Sequence, residues 1–162
     1  MNILKGRIEN KTKEAALAAM FIALFIVTKT FRIQVTSVFA LDFAGAILYT
    51  ASTVVSWPYT LVFTLATLYQ GSTIFAILAW FPGLQAAFFI SKIVDRKWVK
   101  HIPVLGLLVS LPFAAATLHF GGIMDFRVWI AVCSVPSLFT CITVYIGGRL
   151  IWRVLESFQV IE

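Results

Sequence analysis

Few side chains in this sequence could bind a ligand or catalyse a reaction, and most of them fall in short polar segments between long apolar stretches. The candidate binding residues are Lys29, Arg32, Gln34, Asp42, Gln85, His119, Asp125, Arg127 and Trp129. They include both signs of charge and stand among aromatic residues. That mixture suits a small, planar, polar organic ligand. We therefore predict a shallow binding cup, with Arg32, His119 and Arg127 as its leading candidates.

Recognisable catalytic patterns are missing from the sequence. It contains no G-x-x-x-x-G-K-S/T loop for ATP phosphates, no H-E-x-x-H zinc motif and no G-x-S-x-G nucleophile turn. We expect no catalytic residue, no cofactor and no metal. No ionisable residue falls in the middle of an apolar segment, which argues against a self-sufficient proton-driven pump.

The composition indicates that lipid covers most of the surface. The chain has 162 residues, of which 60% are hydrophobic and 12% are charged, and its mean hydropathy is +0.95. A soluble domain has roughly 45–50% apolar and about 25% charged residues. We predict a single integral membrane domain in the cytoplasmic membrane. Cys133 and Cys141, about 12 Å apart along one helix, are interpreted as packing residues, because this separation is too long for a disulfide.

Turn signals divide the apolar stretches into six segments. No charged residue occurs between Phe43 and Ser91, but Ser56-Trp57-Pro58 and Gln70-Gly71-Ser72 interrupt that stretch. The sequence predicts helices over about 13–28, 42–56, 58–70, 73–91, 102–118 and 128–152. The second and third are short for a full crossing, which needs about 20 residues. The first follows a basic segment, and we interpret it as a retained helix rather than a cleaved signal peptide.

The positions of the basic residues favour six membrane crossings over five. With six, both termini share one side of the membrane, and that side holds ten of the thirteen Lys and Arg residues. With only two helices in the uncharged stretch, the basic segment 92–100 would face outward, against the positive-inside tendency. We therefore predict an all-α bundle of six transmembrane helices with cytoplasmic N- and C-termini. This topology explains the net charge of +6 without a nucleic-acid partner.

The candidate binding residues of the polar segments then fall on the outer side. The connection from Thr28 to Leu41 is long for such a fold, and Arg32 to Thr36 alternates polar and apolar residues like a short strand. We expect this connection to cover the cup as a lid. The ordinary alternative is that these are loop residues within an interfacial aromatic belt. For Gln85 the alternative is a hydrogen bond between two helices.

Small residues recur along the first helix. Ala15, Ala19 and Ala23 are spaced by four and form a smooth face that another helix could approach closely. Packing within the bundle is one interpretation, and docking of a separate membrane subunit is the other.

The overall pattern resembles the substrate-binding S-components of energy-coupling factor (ECF) vitamin transporters. The resemblance rests on the chain length, the six helices, the cytoplasmic ends, the opening Lys13-Glu-Ala-Ala-Leu-Ala-Ala-Met20, and the sequence Phe39-Ala-Leu-Asp42-Phe-Ala-Gly-Ala46 after a long first loop. It covers nearly the whole chain. The nickel and cobalt branch of that family carries an N-terminal histidine site, and Met1-Asn2-Ile3 offers no such histidine, so a metal substrate is not expected.

The resemblance implies a specific function. S-components capture a vitamin or a precursor from outside and associate with a transmembrane coupling subunit and two cytoplasmic ATPases. The first loop would cover the ligand, the fourth to sixth helices would line the pocket, and the face of Ala15, Ala19 and Ala23 would carry the docking. ATP hydrolysis would belong to the partners. The alternatives are a structural or assembly subunit of another membrane complex and an intramembrane enzyme.

Overall fold

The computed structural model describes residues 7–8, 10–31, 33–34, 40–41, 43–70, 73–158 and 161. This part of the chain is almost entirely helical. Its helices are α1 Lys11–Thr30, α2 Ala44–Val54, α3 Trp57–Ala66, α4 Thr73–Ile93, α5 Arg96–Val99, α6 Ile102–Phe120 and α7 Phe126–Ser157. A 3-10 turn, Thr67–Gln70, continues α3. Between α1 and α2, β1 Ile33–Gln34 pairs antiparallel with β2 Ala40–Leu41.

Local capping sets several helix boundaries. The Asn10 side chain accepts hydrogen bonds from the backbone N–H groups of Thr12 and Lys13, so α1 starts at Lys11. The Asp125 carboxylate accepts from the Arg127 N–H at 2.8 Å and starts α7 in the same way. Pro58 occupies the first turn of α3, where its missing N–H costs nothing.

The central helix of the bundle is α2. All eleven of its residues are buried, as expected for a helix that is apolar or small on every side. Two of its hydroxyls bond within the helix: Ser52 donates to the Leu48 carbonyl at 2.9 Å, and Thr53 donates to the Thr50 carbonyl at 2.7 Å. Around α2 lie α1, α3, α4, α6 and α7.

One end of the bundle, here called the basic end, gathers the start of α1, the ends of α2 and α4, and the C-terminal segment. The Arg7 backbone N–H donates to the Val54 carbonyl at 2.7 Å, and the Arg7 guanidinium donates to the Ser91 carbonyl at 2.7 Å. The Arg96 guanidinium donates to the Ile161 carbonyl at 3.3 Å. The other end, here called the hairpin end, contains the end of α1, the β-hairpin and the link between α6 and α7.

Each of the six predicted helical ranges overlaps an observed helix. The additional helix, α5, is a single turn inside the basic segment that the sequence left as a link. Two of these six helices are too short to cross a membrane fully. Helices α2 and α3 have eleven and ten residues and span only about 15 Å of a hydrocarbon layer of about 30 Å. Within the described part of the chain, α6 and α7 are the two helices long and apolar enough to cross a membrane.

Candidate functional site

A cavity of about 130 Å³ lies between the helices and reaches the last turn of α1 at the hairpin end. Residues of α1, α2, α4, α6 and α7 line it. They are Lys29, Gly45, Tyr49, Ala79, Trp80, Leu107, Ser110, Leu111, Ala114 and Thr140. The cavity therefore combines a mainly apolar lining with three hydroxyl groups, one indole and one ammonium group, a composition typical of small-molecule sites.

Two stacked aromatic rings form one wall of the cavity. The ring centroids of Tyr49 and Trp80 are 5.4 Å apart with an interplanar angle of 16°. Phe25 meets Trp80 edge-on, with centroids 6.4 Å apart and an angle of 82°. Tyr49 and Phe25 are fully buried, so both rings are held by the surrounding core. The stacked pair offers a planar ligand an aromatic surface to pack against.

The Tyr49 and Ser110 hydroxyls form a buried polar pair across α2 and α6. Their oxygens are 2.7 Å apart, and Tyr49 donates. The pair has two hydroxyl protons and makes one hydrogen bond among the described residues, so one proton remains available to an acceptor in the cavity. The third hydroxyl of the lining, Thr140, donates back to the Pro136 carbonyl at 3.1 Å.

Lys29 places a positive charge at the hairpin end of the cavity. Its ammonium nitrogen lies 5.4 Å from the centroid of the Trp80 ring and 5.6 Å from that of Phe25. Phe25 and Lys29 are four residues apart on α1 and so share one face of the helix. These cation–π contacts hold the ammonium group near the aromatic wall. Lys29 is the one formally charged residue among the described lining residues.

Close approach of α4 and α6 shapes the rest of the cavity. A Cβ at Gly83 would overlap Ser110 Oγ and the Gly106 carbonyl oxygen, and a Cβ at Gly106 would lie 2.8 Å from Cδ1 of Tyr49. The two glycines therefore let Ser110 come within reach of the Tyr49 hydroxyl. The polar pair depends on this helix crossing.

The structure places the binding residues predicted in the first loop and in α4 at different sites. Lys29 lines the cavity, and Gln34 is the second residue of β1. Arg32 and Asp42 lie outside the described residues. Gln85 is not among the lining residues: its Oε1 accepts a hydrogen bond from Trp57 Nε1 at 2.9 Å. This bond joins α3 to α4, as in the alternative interpretation of Gln85 as a residue that makes a hydrogen bond between two helices.

The predicted residues at the link between α6 and α7 do not line the described cavity. His119 is exposed at the end of α6 and contacts the edge of Phe120. Asp125 caps α7, and the Arg127 side chain is exposed. Trp129 stacks on Phe126 with centroids 6.5 Å apart. His119, Asp125 and Arg127 are thus exposed and Trp129 is half-buried. The part of these four residues in binding stays a prediction.

Sequence reasoning missed Tyr49, Trp80, Ser110 and Thr140. It selected mainly charged residues in polar segments, whereas these four lie inside apolar helices. Their one signal was the presence of hydroxyl and indole groups at positions where a lipid-facing or core helix would need only aliphatic side chains. Within the described residues, no group of three or more His, Cys, Asp and Glu side chains could hold a metal ion, and Cys133 and Cys141 are free thiols.

The basic end carries a second group of charged side chains. Glu14 is buried and its carboxylate accepts a hydrogen bond from the Ser56 backbone N–H. Burial and the nearby charge of Arg96 lower the pKa of the Arg7 guanidinium. The Lys92 ammonium group lies 4.8 Å from the Phe88 ring centroid. The Glu14–Ser56 bond joins α1 to the start of α3, and the Arg7–Ser91 bond joins the segment before α1 to α4. Both lie away from the cavity, which gives the group a structural role.

The outer surface of α1 has two exposed features. Ala15, Ala19 and Ala23 are exposed, while Phe21 and Phe25 face the core. Packing within this bundle therefore does not account for the three alanines. An apolar groove of about 380 Å³ runs between α1, α2 and α7, with Ala46 and Gly147 in close contact at its base.

Comparison of the sequence and the fold with known proteins finds no matching family model, no matching curated protein and no matching solved structure.

Proposed function

We propose that this chain is the substrate-binding membrane subunit of an ATP-driven importer of the ECF type, which captures a small organic micronutrient from outside. The observation that carries the proposal is the cavity that joins the Tyr49–Trp80 wall, the Tyr49–Ser110 pair and the Lys29 ammonium group. A packed structural bundle has no need of such a lining. The resemblance to S-components adds the substrate class, a vitamin or a precursor.

Lipid exposure supports a membrane location. Only 33% of the apolar window in α6 and 28% of that in α7 is buried inside the protein. The core helix of a soluble protein would be mostly buried, but here large apolar side chains such as Leu108, Phe113 and Leu138 are exposed. A hydrocarbon environment removes the cost of exposing them.

Six crossings with cytoplasmic termini belong to the same proposal. The basic end contains nine of the described Lys and Arg residues, from α1, α4, α5, α7 and the segments beside them. The hairpin end contains two, Lys29 and Arg127. That asymmetry favours a cytoplasmic basic end under the positive-inside tendency. The short helices α2 and α3 would then be covered by their longer neighbours and by a tilted or locally thinned bilayer.

Partner subunits supply the energy in this proposal. The exposed face of Ala15, Ala19 and Ala23 offers a transmembrane coupling subunit a surface that a helix backbone can approach closely. Two cytoplasmic ATPases would bind to that coupling subunit and hydrolyse ATP. A small assembly subunit of another membrane complex is the second candidate, because the exposed alanines and the apolar groove beside them would serve it equally well.

A ligand bound in the cavity would distinguish a substrate-binding subunit from an assembly subunit. Native mass spectrometry of the gently purified protein should find a retained small organic molecule. Ala114→Leu, which adds volume to the cavity wall, should reduce that occupancy by about tenfold, since the added atoms take space that the ligand needs. Ala116→Leu is the matched control, because Ala116 lies two residues further along α6 and does not line the cavity.

The result that would contradict the proposal is equally specific. If no compound is retained, and none binds in a broad screen of vitamins and nucleobases in detergent, the assembly-subunit candidate replaces it. Equal occupancy in the Ala114→Leu and Ala116→Leu variants would place any bound molecule outside the cavity.

A further inference from the structure

An aromatic and basic cluster lies at the basic end, where α5, the residue before α6, and α7 meet. It consists of Trp98, Lys100, His101, Tyr145 and Arg149 and is here called the α5–α7 cluster. The ring centroids of Trp98 and His101 are 5.8 Å apart, and those of His101 and Tyr145 are 5.6 Å apart with an interplanar angle of 22°. The Arg149 guanidinium lies 5.5 Å from the centroid of the Tyr145 ring. Side chains from three parts of the fold therefore form one continuous patch.

Close packing of α6 on α7 fixes this patch. A Cβ at Gly148 would lie only 3.1 Å from Cγ of Pro103, in the first turn of α6. Gly148 directly precedes Arg149, and Pro103 follows His101 by two residues, so this contact holds the two charged side chains beside each other.

Positive charges converge on His101. Partial burial and the nearby charges of Arg149 and Lys100 lower the pKa of the His101 imidazole. Among the described residues, the hydrogen bond of the Arg149 side chain is with a hydroxyl, Tyr145 Oη at 3.3 Å, and no carboxylate pairs with Arg149 or Lys100. A guanidinium group has five N–H donors, so further donors remain for an anion. An anion at this patch would offset the mutual repulsion of the charges.

We propose that the α5–α7 cluster binds the phosphate group of an anionic phospholipid in the leaflet at the basic end. Arg149 and Lys100 contact the phosphate oxygens, for which guanidinium and ammonium groups are the usual partners in proteins. The inference goes beyond the proposed function, because it depends on the membrane location and not on a ligand in the cavity.

Exposed apolar groups beside the cations favour a lipid over a soluble phosphate ester. The Trp98 side chain is 56% exposed, and Ile93, which ends α4 just before this segment, is 84% exposed. Tryptophan is enriched where a membrane protein meets the headgroup layer, since its ring is apolar and its N–H is polar. Basic pockets between transmembrane helices are typical binding sites for anionic headgroups. A soluble anion would make no use of the exposed indole.

Two phospholipids with identical acyl chains test the charge preference. The full chain in mild detergent is mixed with equal amounts of phosphatidylglycerol, which is anionic, and phosphatidylcholine, which is zwitterionic, and lipid adducts are counted by native mass spectrometry. We expect phosphatidylglycerol to be retained at least about tenfold more, because each basic residue near an anionic lipid contributes about fivefold to binding.

Variants of single basic residues then locate the effect. Arg149→Gln should reduce phosphatidylglycerol retention about fivefold and leave phosphatidylcholine within about twofold. Arg149→Lys keeps the charge and should preserve most of the preference. Lys11→Gln is the matched control, because it removes the same charge from an exposed position at the same end of the bundle, on α1 and outside the cluster.

The source of the phosphate is tested with the soluble headgroup alone. Glycerophosphoglycerol carries the same phosphate diester without acyl chains, and it should displace bound phosphatidylglycerol at least about tenfold less effectively than added lipid does, since it lacks the apolar contact with Trp98.

Four outcomes would overturn the inference. They are equal retention of the two lipids, equal effects of Arg149→Gln and Lys11→Gln, a loss of both lipids in Arg149→Gln that Arg149→Lys does not restore, and displacement by the soluble headgroup as effective as that by lipid. The proposed function fails by a different measurement, the absence of any compound retained in the cavity.

Discussion

The Tyr49 hydroxyl illustrates how a single polar group is accommodated in this interior. It is fully buried, and its hydrogen bond to Ser110 replaces the water that it loses on folding. Without that bond, Tyr49 would impose the desolvation cost of an unpaired hydroxyl on the folded state. The same pair lines the cavity, so the proposed function would couple stability and ligand binding at this residue.

Tyr49→Phe should therefore lower both stability and ligand affinity. Losing one buried hydrogen bond is expected to cost about 1 kcal/mol of unfolding free energy, or a fall of about 2–4 °C in Tm for a chain of this size. Thermal unfolding in detergent measures it. Tyr145→Phe is the matched control, since the Tyr145 hydroxyl accepts a longer bond, 3.3 Å from Arg149, in a half-buried setting. An equal Tm loss in both variants would contradict the special role of the Tyr49 pair.

For single residues, the sequence indicated which charged side chains to consider, but not which polar side chains inside the helices would line a cavity. Lys29 was selected because charged residues are rare in such a chain, and it lines the cavity. Tyr49, Trp80 and Ser110 were not, because the approach of α4 to α6 at Gly83 and Gly106 is a long-range contact with no local signal. Gln85 shows the converse: its polarity was noticed, but its partner, Trp57, is 28 residues away.

Local sequence signals predict the positions of the helices better than they predict the residues of the site. Runs of apolar residues with prolines and polar breaks between them locate six of the seven described helices, and Asn10 and Asp125 explain where α1 and α7 begin. The single-turn α5 was missed, because four residues of a basic link contain no periodic pattern. The shortness of α2 was anticipated, but its central, fully buried position depends on tertiary packing.

Helix α1 is anchored to the bundle at the basic end through Glu14. Its buried carboxylate satisfies the Ser56 N–H at the start of α3, so Glu14→Ala leaves that donor unpaired. We expect a loss of about 1–3 kcal/mol in unfolding free energy, measured as a lower Tm in detergent. Glu14→Gln keeps an acceptor and should lose less.

The control for this anchor is Asp95→Ala, because Asp95 is exposed and makes no capping bond to α5. A Tm loss in Asp95→Ala as large as that in Glu14→Ala would show that general charge balance, rather than the Glu14–Ser56 bond, holds the basic end together.

For the whole molecule, the distribution of charge and the distribution of apolar surface give one consistent picture. Exposed aliphatic and aromatic side chains cover the sides of the bundle, and basic residues concentrate at one end. The cavity reaches the opposite end. A ligand entering from outside would therefore meet the cavity, while the basic end would face the cytoplasm and its anionic lipids.

Cysteine accessibility tests this orientation. In a background with Cys133→Ala and Cys141→Ala, a single cysteine is introduced by Ile123→Cys at the hairpin end or by Lys97→Cys in α5, both at exposed positions. A membrane-impermeant maleimide should label the Ile123→Cys protein in intact cells and the Lys97→Cys protein only after permeabilisation, because the membrane separates the two ends.

Labelling both proteins after detergent treatment shows that each thiol can react. The reverse pattern in intact cells would invert the topology and place the mouth of the cavity in the cytoplasm. Equal labelling of both in intact cells would mean that the ends are not separated by a membrane, and the importer proposal would lose its basis. Labelling of the Ile123→Cys protein alone in intact cells would instead place the mouth of the cavity outside, on the side from which the proposed ligand arrives.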